Sequence, residues 1–241
     1  MNTKNNTSRI LGAAFLLQFI TSVGSGLLIQ PAWLVPGNIH ETMLKIADNP
    51  GLMRTNIVVD MLTAMGVIFL GAMLYVALRK FNEKIALIGL GFYILEGALL
   101  AASRSEAFSL LRISQEYVAA GNPAYLQTMA NLALESMEFV GFKLHVLVFC
   151  LGAILFYYLL YKSSLVPRVL SLWGLITILP LLAANLFDIL GYQVPQFVGF
   201  PYFPFELVIG LWILVKGIPE TRGSLASFPP KMISNEEMVP Q

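Results

Sequence analysis

The sequence predicts an all-α membrane protein, a polytopic bundle of about six transmembrane helices, the third and fourth extended on the outer side. Two observations carry this reading. The chain is 57% hydrophobic and 12% charged, with a mean hydropathy of +0.73, whereas a soluble domain carries about 25% charged residues; its polar side chains are too few to face water on all sides. The apolar residues also gather in unbroken blocks rather than at periods of 2 or 3.6, as lipid-facing spans do. The net charge of +1 leaves no basic field for nucleic acid and no acidic tail. The single cysteine, Cys150, lies in an apolar run and cannot form an intrachain disulfide.

Runs of roughly 20 apolar residues place the spans at Ile10–Ile29, Ile57–Leu78, Ile85–Ser103, Phe142–Tyr161, Val169–Leu190 and Phe203–Val215. The last is approached through an aromatic, proline-broken stretch. The first apolar run is longer than a signal-peptide core and no convincing small-x-small cleavage site closes it, so it reads as a retained span. Together these define a six-span membrane domain, 1–218. The polar tail 219–241, with Pro229-Pro230, reads as disordered and cytoplasmic.

Lysine and arginine set the orientation. One side carries Lys4, Arg9, Arg79, Lys80, Lys84, Lys162, Arg168, Lys216, Arg222 and Lys231; the other has Lys45, Arg54, Arg104, Arg112 and Lys143. The richer side is expected in the cytoplasm, which puts both termini there, with the protein expected as a multi-pass protein of the cell (inner or plasma) membrane. Trp173 and Trp212 near the inner span ends, and Trp33, Phe200 and Tyr202 near the outer ones, read as aromatic belts.

The inner connections are short, Arg79–Lys84 and Lys162–Arg168, with Pro167 near the first turn of the following helix. The outer ones are long. Residues 31–54 hold Pro31, Pro36 and an Asn49-Pro50-Gly51 turn, with an amphipathic stretch around Glu41–Ala47. In 104–141 nothing breaks a helix before Gly121-Asn122-Pro123, where Asn122 is expected as N-cap and Pro123 as first helical residue. A helix over Ile85–Ala120 and another over Pro123–Tyr161 would each exceed a hydrocarbon core about 30 Å thick. They are expected to form a hairpin standing outside the membrane. The alternative lays 105–120 on the surface through Phe108, Leu111 and Val118.

Gly71 through Leu78 resembles Gly152 through Leu159, a hint of an internal repeat that chance matches of small and apolar residues also explain. Three further stretches carry a family likeness: Leu74-Tyr75 through Arg79, Asn82-Glu83 and Ala86-Leu87 to Glu96; Tyr161 through Leu165-Val166-Pro167-Arg168 to Gly174; and Pro204-Phe205-Glu206 through Trp212 to Lys216-Gly217. By these the chain, from about residue 9 to 218, resembles a family of bacterial six-span membrane proteins known only as a domain of unknown function, number forty-three eighty-six. The resemblance implies the fold and topology and no activity. In that family the position three before the glutamate is often basic; here it is Tyr93, so the resemblance supplies no charge partner for Glu96 within its own helix.

Soluble-enzyme signatures are missing: there is no Walker loop, GxSxG, HExxH or paired CxxC. With only His40 and His145, a three-histidine metal site is impossible. Glu135, Glu138 and His145 share one face of a regular helix, which allows a mixed metal site, against the alternative of a wet helix face at the membrane edge. No cofactor is implied.

Polar residues at membrane depth are costly and tend to face the bundle or a function. Counting from the basic anchors at ~1.5 Å per residue places Glu96, Glu206 and Gln18 roughly 14–18 Å in, near mid-membrane. Thr63, His145 and Asn185 follow at about 24–26 Å. An outer rim of Asp60, Arg104, Glu138, Lys143 and Asp188 comes next. Glu96 and Glu206 are expected to face each other across the bundle with Gln18 and His145 nearby. A pair that close would hold a proton or a cation between its members.

Two function classes compete. In one, the layers line an outward-open cavity that binds or transports a small polar or cationic molecule or a lipid headgroup. In the other, the protein is an accessory subunit of a membrane complex, homo- or hetero-oligomeric, and these groups pair inside the bundle. An intramembrane metal-dependent hydrolase is a distant third. Small-xxx-small spacings such as Gly97 to Ala101 and Ala98 to Ala102 fit close helix packing in either case. Two mid-depth glutamates without an equally deep lysine or arginine favour the cavity.

Overall fold

The computed structural model describes residues 4–218, with backbone only for residues 4–8 and Gln196; the expected tail, 219–241, lies outside the described residues. Those residues form helices and no strand: α1 (Lys4–Gly24), α2 (Gln30–Trp33), α3 (Ile39–Asp48), α4 (Pro50–Leu78), α5 (Glu83–Ala119), α6 (Ala124–Glu138), α7 (His145–Ser163), α8 (Arg168–Ile189) and α9 (Phe203–Lys216). A π turn, Ser25–Ile29, joins α1 to α2, and a second, Phe139–Leu144, joins α6 to α7. The result is six segments long and apolar enough to cross a membrane: Arg9–Trp33, Pro50–Leu78, Glu83–Ala119, Ala124–Ser163, Arg168–Ile189 and Phe197–Lys216.

The helix starts follow local chemistry. The Asn49 side chain accepts the Leu52 N–H at 3.1 Å and Pro50 follows it, so the Asn49-Pro50-Gly51 stretch both breaks α3 at its single non-helical residue, Asn49, and begins α4. Asn82 caps α5 in the same way through the Ile85 N–H. Asn122 departs from expectation. With Gly121 (φ +77°) it adopts the left-handed region (φ +65°), and its N–H bonds the Tyr117 carbonyl at 2.8 Å. It closes α5 instead of capping α6, which begins at Ala124 without a side-chain cap; asparagine is one of the few residues that tolerates this conformation.

The long helices close into a ring. α1 packs on α4 and α9, α4 on α5, α5 on α7, α7 on α8, and α8 more loosely on α9. Gly12 of α1 lies directly against the backbone of Leu214 and Gly210 in α9. Those two helices run antiparallel, so both described chain ends lie at one end of the ring, the near end. Three basic side chains there stack over tyrosines: Arg79 over Tyr75, Lys162 over Tyr158 and Arg168 over Tyr161.

One apolar core fills the ring, including Leu11, Phe15, Leu74, Tyr93, Phe156, Tyr157, Phe205 and Ile213. A second, separate core lies at the far end, where Met43 and Ile46 of α3 meet Leu110, Leu111 and Tyr117 of α5 and Leu126 and Ala130 of α6. α5 is 37 residues long and the α6–α7 segment 40, about 55 and 60 Å at 1.5 Å per residue. Both outrun a 30 Å hydrocarbon core, and their extensions pair as a hairpin with α3 packed on it. The surface-lying alternative is overturned: α3 and α6 cover Leu111, leaving Phe108 and Val118 on the opposite, exposed side.

The return from α8 shapes the centre of the ring. After Gly191 (φ +87°) the chain runs irregularly, with one 3-10 turn at Gln196–Gly199, until α9 starts at Phe203. Gly199 lies beside Leu181, the Pro201 carbonyl accepts the Trp173 indole N–H at 3.2 Å, and Gly174 touches the Phe205 ring. This stretch therefore runs back along α8, and α9 begins inside the bundle. Irregular backbone at depth is sustained only where protein surrounds it or it lines a cavity. The same geometry corrects the aromatic-belt reading. Tyr202 is drawn into the interior and Trp33 is likewise buried, while Phe200 stays exposed.

Candidate functional site

The inner layer lies where α1, α4, α5, α7 and α9 meet. Glu96 of α5 is only 3% exposed. Its neighbour Gly97 sits against the Ala64 carbonyl of α4, and the Gln18 Oε1 of α1 sits against Gly66, two residues further along α4. Glu206, in the first turn of α9, is within electrostatic reach of Glu96. Gln18 and the residue beside Glu96 thus meet one stretch of α4, with Glu206 of α9 within electrostatic reach of Glu96.

Tyrosines that the sequence reading did not assign to the site complete the layer. The Tyr202 hydroxyl donates to Glu206 Oε1 at 2.8 Å, and the Tyr157 and Tyr202 hydroxyl oxygens are 2.5 Å apart. A hydroxyl has one proton to give; with Tyr202 committed to Glu206, Tyr157 is the donor in the second bond. Tyr93 lies close to Glu96, Glu206 and Tyr157. Gly71 of α4 and Gly152 of α7 both close on the Tyr93 side chain: a Cβ at either would come within 2.5 and 2.8 Å of it. Their only sequence signal was the paired stretches beginning at these two glycines.

The next layer lies toward the far end. Gly152 meets Tyr93 and Gly141 meets Ser103 and Arg104, so His145 stands roughly one helical turn beyond Glu96. Asn185, 6% exposed, is one turn along α8 from Asp188, whose carboxylate takes the Lys143 ammonium at 3.0 Å. Thr63 is buried but spends its hydroxyl on the Val59 carbonyl of its own helix at 3.0 Å.

The expected outer rim splits into a buried and a surface part. Asp60 and Arg104 form an ion pair between α4 and α5, with side chains 11% and 12% exposed. The Ser25 hydroxyl donates to Asp60 Oδ1 at 2.5 Å, and Asn56 Nδ2 donates to Asp60 Oδ2 at 2.9 Å and to Ser25 Oγ at 2.8 Å. Trp33 Nε1 donates to Asn56 Oδ1 at 2.7 Å, and Arg104 Nη2 to Ser103 Oγ at 2.8 Å. Both π turns bear on this network, one carrying Ser25 and the other pressing Gly141 against Ser103 and Arg104; such turns recur at functional positions. Ser25, Asn56 and Ser103 escaped sequence reading, since small polar residues in an apolar run give no periodic signal.

Lys143–Asp188 is a half-exposed surface pair. Glu138 lines a shallow hollow with Leu132, Glu135, Ser136, Phe139 and Lys143. The mixed metal site that spacing allowed is not formed: among the described residues no three His, Cys, Asp or Glu side chains gather as metal ligands. The π turn between Glu138 and His145 breaks the helical register, leaving Glu135 and Glu138 outside while His145 turns inward.

Five buried side-chain polar atoms have no hydrogen-bond partner among the described residues: Gln18 Oε1, Glu96 Oε2, His145 Nδ1, Asn185 Oδ1 and Ser171 Oγ. Four of the five belong to the two layers nearest mid-bundle. Native proteins leave few such groups unpaired, and each calls for an explanation.

A ring of six long apolar helices around buried polar layers is a multi-pass helical membrane protein. The chain belongs to the family described as Domain of unknown function (DUF4386), whose model matches residues 10–217. No curated protein and no solved structure matches it.

Proposed function

We propose that the protein binds a small cationic or hydrogen-bond-donating solute, free or as a lipid headgroup, inside its helix ring at the Gln18–Glu96–Glu206 layer. The solute enters past His145 and Asn185 from the far end, for uptake or sensing. The observation that carries this reading is the set of unpartnered buried atoms, three of which are acceptor oxygens on different helices: Gln18 Oε1, Glu96 Oε2 and Asn185 Oδ1. An acceptor left without a donor in a low-dielectric interior costs about 1–3 kcal/mol, more if charged. A cation or an N–H donor bound in the inner layer removes that cost at Gln18 and Glu96, and one entering past Asn185 meets the third.

The accessory-subunit reading fits the Asp60 network, where every named group finds a partner within the bundle. It does not account for the inner layers. The lysine and arginine asymmetry supports an orientation with both termini in the cytoplasm.

Thermal unfolding of the detergent-purified protein tests the reading. Methylammonium, ethanolamine and choline are the free probes; phosphatidylethanolamine and phosphatidylcholine, added to the micelles, are the lipid probes. A bound probe at a hundredfold its Kd stabilises by about 2.7 kcal/mol, so at least one raises the midpoint, and Glu96→Gln removes the rise. Stabilisation by lipids alone identifies a headgroup. If no probe stabilises the protein, or Glu96→Gln responds as the parent does, the reading fails.

A further inference from the structure

We propose that the two carboxyl groups of the inner layer have unequal roles: Glu96 takes up and releases a monovalent inorganic cation, a proton or sodium, while Glu206 is a fixed positioning partner. This deepens the reading above and rests on its identification of the mid-bundle layer.

Glu206 is held. Its Oε1 is the terminal acceptor of a chain in which Tyr157 donates to Tyr202 and Tyr202 to Glu206, with Tyr157 fully buried and Tyr202 nearly so. It also lies in the first turn of α9, the helix end at which an acidic side chain is best placed.

Glu96 is the opposite case. It is 3% exposed and its Oε2 meets no donor among the described residues; the Gln18 Oε1, against the same stretch of α4, meets none either. The titratable groups facing it are Glu206 from α9, Tyr157 and Cys150 from α7, and Tyr93 from its own helix. The facing stretch of α4, 63–67, carries no titratable residue. Arg104 lies two turns away on α5 and is committed to Asp60.

The ligand chemistry follows from the donor set and the space. The unpartnered atoms of the layer itself, Glu96 Oε2 and Gln18 Oε1, are oxygens, which suit hard cations rather than the soft metals that thiolate and imidazole take. Two carboxylates and one amide fall short of the six to eight oxygens of a calcium site, and no larger cluster of His, Cys, Asp or Glu gathers among the described residues. With Glu96 enclosed, the occupant is small. Proton uptake forms an O–H on Glu96 Oε2 that donates to Gln18 Oε1. Sodium takes the same position among the oxygens and sends that proton to solvent, with no redox change.

Infrared difference spectroscopy on the reconstituted protein, reading the C=O stretch of protonated carboxyl groups, tests the assignment. The pH is stepped at fixed sodium, and sodium is then stepped at fixed pH against choline chloride. A protonated-carboxyl band that rises on acidification, vanishes in Glu96→Gln, moves in Glu96→Asp and survives in Glu206→Gln supports the proposal. Loss of that band on adding sodium identifies a sodium site, and indifference to sodium a proton site. No band responding to either step, or a band that survives in Glu96→Gln and disappears in Glu206→Gln, overturns it. The Glu96→Asp variant keeps the test open should Glu96→Gln not fold. A responding Glu96 in a protein that no amine or lipid probe stabilises retains this proposal and rejects solute binding; stabilisation by a probe with an inert Glu96 does the reverse.

Discussion

The Tyr202 hydroxyl donates to Glu206 Oε1 across 2.8 Å, four residues apart at the start of one helix. That contact exists because the chain turns back along α8 and begins α9 inside the bundle, bringing Tyr202 to the interior. Tyr202→Phe leaves the Glu206 carboxyl without this donor. A hydrogen bond to a charged group contributes about 1.5–3 kcal/mol, and a loss of that size is expected in denaturant or thermal unfolding. Phe200→Leu, at an exposed position nearby, is expected to change stability by less than about 0.5 kcal/mol.

Arg104→Ala is expected to be among the most damaging single changes. It strands the Asp60 carboxylate at 11% exposure, and breaking a buried pair on one side costs about 3–5 kcal/mol. The double variant Asp60→Asn, Arg104→Ala is expected to recover part of the loss. Lys143→Ala removes a partly exposed ion pair and is expected to cost about 1 kcal/mol at most. Equal effects at Arg104 and Lys143 in thermal unfolding would count against a buried Asp60 network.

Gly71→Ala and Gly152→Ala each push a methyl group into the Tyr93 side chain. Overpacking of this kind costs about 1–3 kcal/mol. Gly91 has open space around its Cβ position and lies on the exposed side of the same helix as Tyr93. Gly91→Ala is expected to be neutral or stabilising by up to about 1 kcal/mol, the helix-propensity gain. Ranking the three variants by unfolding midpoint checks the pattern.

Orientation is tested with a reporter active only in the cytoplasm. Fused after Lys80, Lys162 or Lys216 it is expected to be on; fused near Asn49 or Asn122 it is expected to be off. Activity at Asn122 would reverse the assignment drawn from lysine and arginine.

The spans were legible because a block of 20 apolar residues is a signal that needs no tertiary context, and the helices found differ from those blocks mainly in running past them. α5 continues to Ala119 and the α6–α7 segment begins at Ala124, in stretches where polar residues hid the helix from hydropathy while the lack of breakers revealed it. Depth counting grouped Gln18, Glu96 and Glu206 because each lies a similar number of residues from a basic anchor. Tyr93 and Tyr157 were not assigned to the site and Tyr202 was read as an outer belt, since a tyrosine in an apolar run looks alike whether it faces lipid or the interior. The two π turns were also invisible. In an apolar run they read as ordinary helix, and the second is what undid the Glu135–Glu138–His145 alignment.

A high-resolution density map of the protein purified with its native lipids tests the central claim, that Gln18, Glu96 and Glu206 form one binding layer, most directly. The account predicts ordered non-protein density within hydrogen-bond reach, about 2.6–3.2 Å, of both Glu96 Oε2 and Gln18 Oε1, with Tyr202 still bonded to Glu206. Glu96 Oε2 closed by a donor from the chain itself, or the two carboxyl groups more than ~10 Å apart and beyond direct or single-water coupling, would contradict it.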